Sequence, residues 1–311
     1  MVGTGTLRVL LLAFALWAAR TASATEVLVL SSDRSDSYAD ASQAVVTELV
    51  RQGVRRGDIA QLAVPDMGGG DLAAIQGAKV WVTLGSDALV RALQREGRPP
   101  VISALIPRQG FERLMRSNPP KAAPVAAVYL DQPFVRQLEL VHQALPDVKR
   151  IGVLWGQESL PQQASLQAAA QARGMEVVSS PVVGPSSLFS GLKTVLDDAG
   201  VLLAVADPQV YNGGTISNIL LATYRVRVPV MAFSPAYVKA GALLAVYSTP
   251  RQIGTQAGAL ARTLLQGGAP PVSQYPQDFE VAVNEHVARS LGLTLDEAAL
   301  SDRMHRLEKR P

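Results

Sequence analysis

The 311-residue chain contains no cysteine. Disulfide bonds, thiol nucleophiles, cysteine-ligated metal sites and a lipid anchor on an N-terminal cysteine are therefore excluded. Histidine is almost as scarce: His142, His286 and His305 all fall on predicted helices or in the C-terminal tail. None of them follows a strand with the spacing of a metal site or a Ser-His-Asp constellation. An enzyme is thus the least favoured class of function, and no cofactor or metal is predicted.

Excess charge and aromatic residues are also in short supply. The formal net charge is +3, from 29 basic and 26 acidic residues, and aromatic residues make up 5% of the chain. Nucleic acid is not a predicted partner, because phosphate binding requires a basic excess on one face. The hydrophobic content of 48% is therefore mainly aliphatic, which suits parallel sheets covered by helices.

Residues 1–24 have the pattern of a secretory signal peptide. Arg8 is followed by an uncharged apolar run over 9–19, and Ala22-Ser23-Ala24 offers a small-residue cleavage site. The apolar run is short for a bilayer span, although an uncleaved anchor is the alternative. The mature chain is predicted to begin at Thr25.

After the signal peptide, short buried-type strands alternate with amphipathic helices. This alternation predicts an α/β fold with parallel sheets and right-handed crossovers. The predicted strands cover 26–30, 59–64, 79–84, 101–105, 125–130, 150–155, 175–179, 201–206, 228–233 and 243–247. The predicted helices cover 38–52, 88–95, 134–145, 160–173, 188–197 and a long stretch from Pro250 onward.

The stretch 228–267 decides the predicted domain organisation. It has two apolar strands about ten residues apart, followed by the long helix. We interpret so short a connection as a crossing between two lobes. The predicted lobe 1 comprises residues 25–124 and 236–277, the predicted lobe 2 comprises 125–235 and 278–293, and the charged tail 294–311 is predicted to form a short helix with a frayed end.

Two sequence blocks carry a family resemblance. The run AYVKAGALLAVYSTPRQIGTQAGALARTLLQGGAPP, with FEVAVNEHVARSLGL after it, and the run RQLELVHQALPDVKRIGVLW resemble the ABC-transporter substrate-binding proteins related to the tryptophan/tyrosine binding proteins. The resemblance implies a type I periplasmic-binding-protein fold, in which two Rossmann-like lobes are joined by a multi-strand hinge.

The same resemblance implies how the protein works. A monomer in the periplasm would capture a small molecule, such as an amino acid or a related compound, in the cleft between its lobes. The lobes would close about connectors near 124–130, 232–235 and 278–284, and the closed protein would deliver the ligand to an ABC permease in the inner membrane.

Ligands of such sheets bind beyond the carboxyl ends of the strands, which predicts the site residues by position. Ser86 begins a helix, where unpaired N–H groups favour an anion, although an ordinary N-cap is the alternative. The resemblance implies a ligand contact for Asp207, which would pair with an ammonium group, although an Asx turn is equally open. Asp207→Ala is accordingly expected to weaken binding and spare stability. The complete predicted set is Ser32, Asp33, Tyr38, Gly85, Ser86, Gln157, Asp207, Tyr211, Phe233, Ser234 and Tyr237, in which the aromatic residues either wall the cleft or pack in the core.

The sequence departs from the resembled family near this predicted cleft. Gly156-Gln157-Glu158-Ser159 stands where the family has an Asn-Ser pair. The departure keeps open a second function, an interaction or sensor protein, in which the cleft could be filled by the protein's own side chains.

Overall fold

The computed structural model describes residues 25–67, 76–119 and 123–308. The predicted signal peptide and the end of the C-terminal tail lie outside the described residues. Within the described ranges, no helix is both long enough and apolar enough to cross a membrane.

The first half of the chain builds one parallel sheet. Its strands are β1 (Val27–Ser31), β2 (Ile59–Ala63), β3 (Val80–Leu84), β4 (Val101–Ile106) and β5 (Val125–Tyr129), in the order β2-β1-β3-β4-β5. The helices among them are α1 (Asp36–Arg51), α2 (Ser86–Leu93) and α3 (Arg108–Ser117). Strands β1, β3 and β4 are almost entirely buried and mainly apolar because helices cover both faces of this sheet.

The second half of the chain builds a second sheet and returns one helix to the first. Its sheet order is β11-β10-β9-β8-β6-β7, and every neighbouring pair is parallel except β10 with β11. The strands are β6 (Arg150–Trp155), β7 (Glu176–Pro181), β8 (Val201–Leu203), β9 (Val230–Ala232), β10 (Leu244–Tyr247) and β11 (Glu280–Val283). The helices are α4 (Phe134–Ala144), α5 (Gln163–Gln171), α6 (Pro185–Leu196), α7 (Ile216–Arg225), α8 (Pro235–Ala240), α9 (Pro250–Leu265), α10 (Glu285–Ser290) and α11 (Glu297–Glu308). Two α/β sheets with interleaved helices confirm the predicted fold class.

Helix α9 belongs to the first sheet although it follows the second in sequence. It packs on α1 and on β3, β4 and β5, and its buried face joins the same core cluster as their side chains. Thr249 caps its start: the hydroxyl accepts the N–H of Gln252 at 3.2 Å, and the Gln252 side chain accepts the Thr249 N–H at 2.8 Å. Local sequence signals therefore specify the start of α9. The helix nevertheless packs in the first lobe, away from the strands that flank it in sequence.

Glycines set the distance between α9 and α1. A Cβ atom on Gly254 would lie 2.4 Å from the carbonyl oxygen of Ala41, and one on Gly258 would lie 3.0 Å from that of Val45. Both glycines are buried. The two helices thus approach backbone to backbone at positions one helical turn apart.

The connection from β9 to β10 corrects the predicted crossing. These strands are parallel neighbours within the second sheet, with Leu244 opposite Met231. The prediction was wrong because the ten-residue connection holds a short helix, α8, which is sufficient for a crossover inside one sheet. The expected hinge at 232–235 therefore lies wholly within the second lobe.

The strand at 125–130 also differs from its predicted lobe. Val125–Tyr129 pairs with β4 and closes the edge of the first sheet, so the chain leaves this sheet only at residue 130. It crosses at 130–133, at 248–249 and at 276–279. Residues 280–283, expected to belong to the hinge, form β11 instead. The rest of the predicted lobe division stays a prediction.

A hydrogen-bond network joins the three connectors. The Gln132 side chain donates to the Ser248 hydroxyl at 2.8 Å, and that hydroxyl donates to the Asp278 carbonyl at 2.5 Å. Arg136 donates to the Gln132 side chain at 2.6 Å and to the Pro276 carbonyl at 2.9 Å. The network links all three crossings, so a hinge motion of the two lobes must pivot at this network.

The C-terminal helix is anchored to this network. Glu308 forms a two-bond ion pair with Arg136, one bond of which is 2.6 Å long. The Arg136 guanidinium also lies 4.4 Å from the ring centroid of Phe279, which stacks on His305 at 4.3 Å. The predicted tail helix is thus packed on the second lobe beside the hinge.

We expect Glu308→Ala to lower the free energy of unfolding by about 1–2 kcal/mol. Removing one partner of a buried pair typically costs ~3–5 kcal/mol, and the value is smaller here because the Glu308 side chain is 36% exposed. Thermal denaturation measures the change. Glu285→Ala, which breaks an exposed pair with Arg289, is the control and should change stability by less than about 0.5 kcal/mol; equal effects of the two variants would contradict the anchoring role.

Candidate functional site

A cavity of about 240 Å³ lies between the two lobes. It is bounded by the carboxyl ends of strands from both sheets and by the first two connectors. Its lining from lobe 1 and the first connector is Pro107, Leu130, Asp131 and Gln132; from the second lobe and the second connector it is Phe134, Gln137, Gln162, Ala204, Val205, Ala206, Phe233, Ser234, Pro235, Val246, Tyr247 and Ser248. Most of these side chains are apolar.

Two of the predicted site residues line this cavity. Phe233 and Ser234 follow β9 directly, at the edge of the sheet where ligands of α/β folds bind. Ser234 is the N-cap residue of α8, yet its hydroxyl makes no capping bond to that helix. It is therefore available to a ligand.

The three predicted aromatic residues of the second lobe form one cluster. The ring of Phe233 meets Tyr211 edge to face at 6.1 Å and Tyr237 at 4.8 Å. Tyr211 is buried, its hydroxyl has no hydrogen-bond partner among the described residues, and burial raises its pKa above the usual range. The tyrosines thus support Phe233 from behind the cavity wall.

The Asp207 carboxylate is occupied by hydrogen bonds from the protein itself. One carboxylate oxygen accepts the N–H of Glu158 at 3.0 Å and both the N–H and the hydroxyl of Ser159 at 2.8 and 2.9 Å. The other oxygen accepts the N–H of Gln209 at 2.9 Å, and the residue is 2% exposed. Asp207 therefore holds two loops together, and this geometry does not favour the expected ammonium contact.

The loop after β6 is shaped by the same carboxylate. A Cβ atom on Gly156 would lie 2.5 Å from the Asp207 carboxylate, so only glycine fits beside it. Gln157 is exposed, and its backbone N–H donates to the Gln209 side chain at 2.9 Å. The residues that replace the Asn-Ser pair of the resembled family thus form a loop fixed to Asp207.

In lobe 1, the predicted residues Ser32, Tyr38 and Gly85 pack on one another. The Ser32 hydroxyl donates to the Leu84 carbonyl at 2.9 Å and accepts the N–H of Ala88 at 3.0 Å. Gly85 has a φ of +89°, and a Cβ atom there would lie 2.4 Å from the Tyr38 hydroxyl. Burial raises the pKa of Tyr38. This group fixes the start of α2.

Asp33 and Ser86 remain exposed at the same edge of the first sheet. Asp33 accepts the N–H of Ser35 at 2.7 Å, an Asx turn that leads into α1. Ser86 is the first residue of α2. Neither of them lines the interlobe cavity formed by the described residues, and their contact with a ligand stays a prediction.

Asp131 was missed by the sequence analysis although it lines the cavity. It follows β5, and its carboxylate accepts the backbone N–H of Arg108 at the start of α3. Burial raises the pKa of Asp131. The rule about strand ends would have found it, but β5 was assigned to a lobe crossing and its end was not considered.

The described residues offer no metal centre. Among them, no group of three or more His, Asp or Glu side chains is placed to hold an ion.

A family model described as ABC transporter substrate binding protein matches residues 83–305, which is more than half of the chain. The chain belongs to this family. The match begins within β3 and runs through all three connectors and into α11. A comparison with curated protein sequences finds no significant match.

Solved structures agree with this assignment at the level of the fold. A ligand-free, open substrate-binding protein with adhesive properties from Clostridium difficile has a TM-score of 0.71 at 18% identity, over 88% of this chain and 96% of that one. An ABC domain in complex with L-Trp from Streptococcus pneumonia has a TM-score of 0.58 at 21% identity, over 88% and 98% of the two chains. A conserved domain protein from Vibrio cholerae has a TM-score of 0.59 at 20% identity, over 89% and 97%. This substrate-binding protein thus has the type I periplasmic binding fold.

Proposed function

We propose that this substrate-binding protein captures a small molecule in the interlobe cavity and delivers it to an ABC permease. The observation that carries the proposal is the position of the cavity, which is bounded by strand ends of both sheets and by the hinge connectors. A ligand there contacts both lobes at once. It therefore stabilises the closed arrangement by its differential affinity for that state.

The size and lining of the cavity restrict the ligand. At about 240 Å³, it is slightly smaller than the usual ~300–1,000 Å³ of ligand pockets. Phe134 and Phe233 offer flat apolar faces, while Gln162 and Ser234 offer hydrogen bonds. An amino acid or related small compound with an apolar body fits these features, and the L-Trp held by the Streptococcus protein makes aromatic compounds the first to test.

Delivery and location are part of the same proposal. The signal peptide predicted over residues 1–24 would export the chain to the periplasm, where the monomer would dock on its inner-membrane permease. The interaction or sensor alternative allowed a cleft filled by the protein's own side chains. The open cavity favours the capture of a small molecule instead.

The test is a thermal-shift screen of the ligand-stripped secreted protein against amino acids, amines, sugars and nucleosides. A compound at 100 times its Kd stabilises the native state by about 2.7 kcal/mol, and we expect one chemical class to do so. Ala206→Phe should abolish the shift because Ala206 lines the cavity, whereas the matched change Ala236→Phe, at an exposed position of α8, should preserve it.

Two results would contradict this function. One is a screen with no shift, combined with native mass spectrometry that finds no bound small molecule in protein purified without stripping. The other is a shift that survives Ala206→Phe, which would place the ligand elsewhere.

A further inference from the structure

The described lining of the cavity contains an acidic side chain but no basic one. Among the described lining residues, Asp131 is the single carboxylate, and none is lysine, arginine or histidine. The other polar members are amides, hydroxyls and a tyrosine. A ligand inside therefore meets one carboxyl group and no positive charge from the walls, and a bound ammonium group would favour the ionised form of that carboxyl group against the effect of burial.

The surroundings of Asp131 leave this carboxylate without a cationic side-chain partner of its own. The charged groups that face it are Arg108 and Glu112, and these pair with each other at 2.6 Å. The Arg108 guanidinium also donates to the Tyr275 hydroxyl at 2.9 Å. The Asp131 carboxylate accepts backbone N–H groups, among them that of Arg108, and the residue is partly exposed and lines the cavity.

We propose that Asp131 selects ligands that carry a positively charged amine on an apolar body and lack a carboxylate. The proposal rests on the capture function proposed above and names the ligand class of the same cavity. An ammonium group at Asp131 forms a charge-assisted hydrogen bond, which is about twice as strong as a neutral one. The apolar part of the ligand then lies against Phe134, Phe233 and Val246.

An anionic group is disfavoured for the same physical reason. A ligand carboxylate near Asp131 meets a like charge in a partly desolvated site, and like charges at short range disfavour each other's ionised forms. An amino acid would need a cationic partner for its carboxylate. The two arginines beside the cavity, Arg108 and Arg116, line a separate cavity of about 130 Å³ that shares Phe134 and Gln162 with the first. Arg108 is already paired with Glu112, and Arg116 is exposed.

The test compares three probes with the same aromatic body. Isothermal titration calorimetry at pH 7.5 measures 2-phenylethylamine, phenylalanine and 3-phenylpropionate against the secreted, ligand-stripped protein. We expect the amine to bind at least about tenfold more tightly than either carboxylate compound, a difference of about 1.4 kcal/mol. Asp131→Asn should weaken amine binding by at least about tenfold, whereas Asp302→Asn, an exposed control on α11, should not change it.

The stability of Asp131→Asn is a second measurement, because replacing an aspartate with a merely structural role would lower the stability instead. Because burial raises the pKa of Asp131, the native state holds the proton more tightly than the unfolded state does. The free energy of unfolding contributed by this group therefore falls as pH rises from the ordinary carboxyl pKa of about 3.9 through the raised value. Asp131→Asn should remove this fall and should be at least as stable as the wild type at pH 7.5.

Several outcomes would overturn the inference. Tighter binding of phenylalanine or 3-phenylpropionate than of the amine would show that the cavity accepts a carboxylate. Unchanged amine binding in Asp131→Asn, with a lower melting temperature, would reduce Asp131 to a support for α3. Absence of amine binding would also overturn the inference about Asp131. Binding of any other compound in the screen would still support the capture function.

Discussion

Gly254→Val is expected to destabilise the first lobe by about 3 kcal/mol or more. Overpacking a core usually costs ~1–3 kcal/mol because neighbouring side chains yield. Here the atom in the way is a backbone oxygen, that of Ala41, at 2.4 Å from the position of the new Cβ. The helices α1 and α9 must therefore separate, and the separation exposes Ile253 and Ala257, both of which are fully buried.

Chemical denaturation with two probes measures this loss. A lobe that loosens independently gives a separate early transition, so coincidence of far-UV circular dichroism and fluorescence should be lost. Thr255→Val is the matched control, because it places the same β-branched side chain on the exposed face of the same helix and should cost less than about 0.5 kcal/mol. If both valine variants unfold at the same denaturant concentration, the close helix contact contributes nothing.

Asp207→Ala is expected to lower the free energy of unfolding by about 3–5 kcal/mol. Each buried donor left without an acceptor costs ~1–3 kcal/mol, and the substitution strands the N–H groups of Glu158, Ser159 and Gln209 together with the Ser159 hydroxyl. This reverses the expectation from sequence, in which the same change spared stability. The reason is that the carboxylate is inside the protein rather than facing the cleft.

Thermal melting of Asp207→Ala distinguishes the two roles. Asp198→Ala is the control, because the Asp198 side chain is 59% exposed and pairs with Arg150 on the surface; its effect should stay below about 0.5 kcal/mol. A wild-type melting temperature for Asp207→Ala, together with loss of ligand binding, would restore the ammonium role and refute the structural one.

The local part of the fold was predictable from sequence. The run Arg150–Trp155 was predicted with the bounds that the structure has, because β-branched and apolar residues between turn signals mark a buried strand. Helix α3 was not predicted, since its apolar residues are few and interrupted by charge. Strand β11 was also not predicted: it is a four-residue edge strand, and its neighbourhood was assigned to the hinge.

The assignment of each strand to one lobe or the other was not predictable from local sequence. Whether β5 or β10 belongs to one sheet or the other depends on partners far away in sequence, and the spacing between strands carries no such information. The same limit applies to the site. The strand-end rule named Phe233 and Ser234, which line the cavity. It did not reveal the contact between Asp207 and Ser159, because these residues are 48 positions apart in sequence.

The late position of α9 in the chain has a consequence for biosynthesis. Strand β5 completes the first sheet at residue 129, yet the helix that covers one face of that sheet ends at residue 265. At ~5–20 residues per second, the ribosome needs on the order of ten seconds to make the intervening segment. During that interval the nascent N-terminal portion has α1 on this face but lacks α9 over β3, β4 and β5, so the core of the first lobe stays incomplete until most of the second sheet has been synthesised.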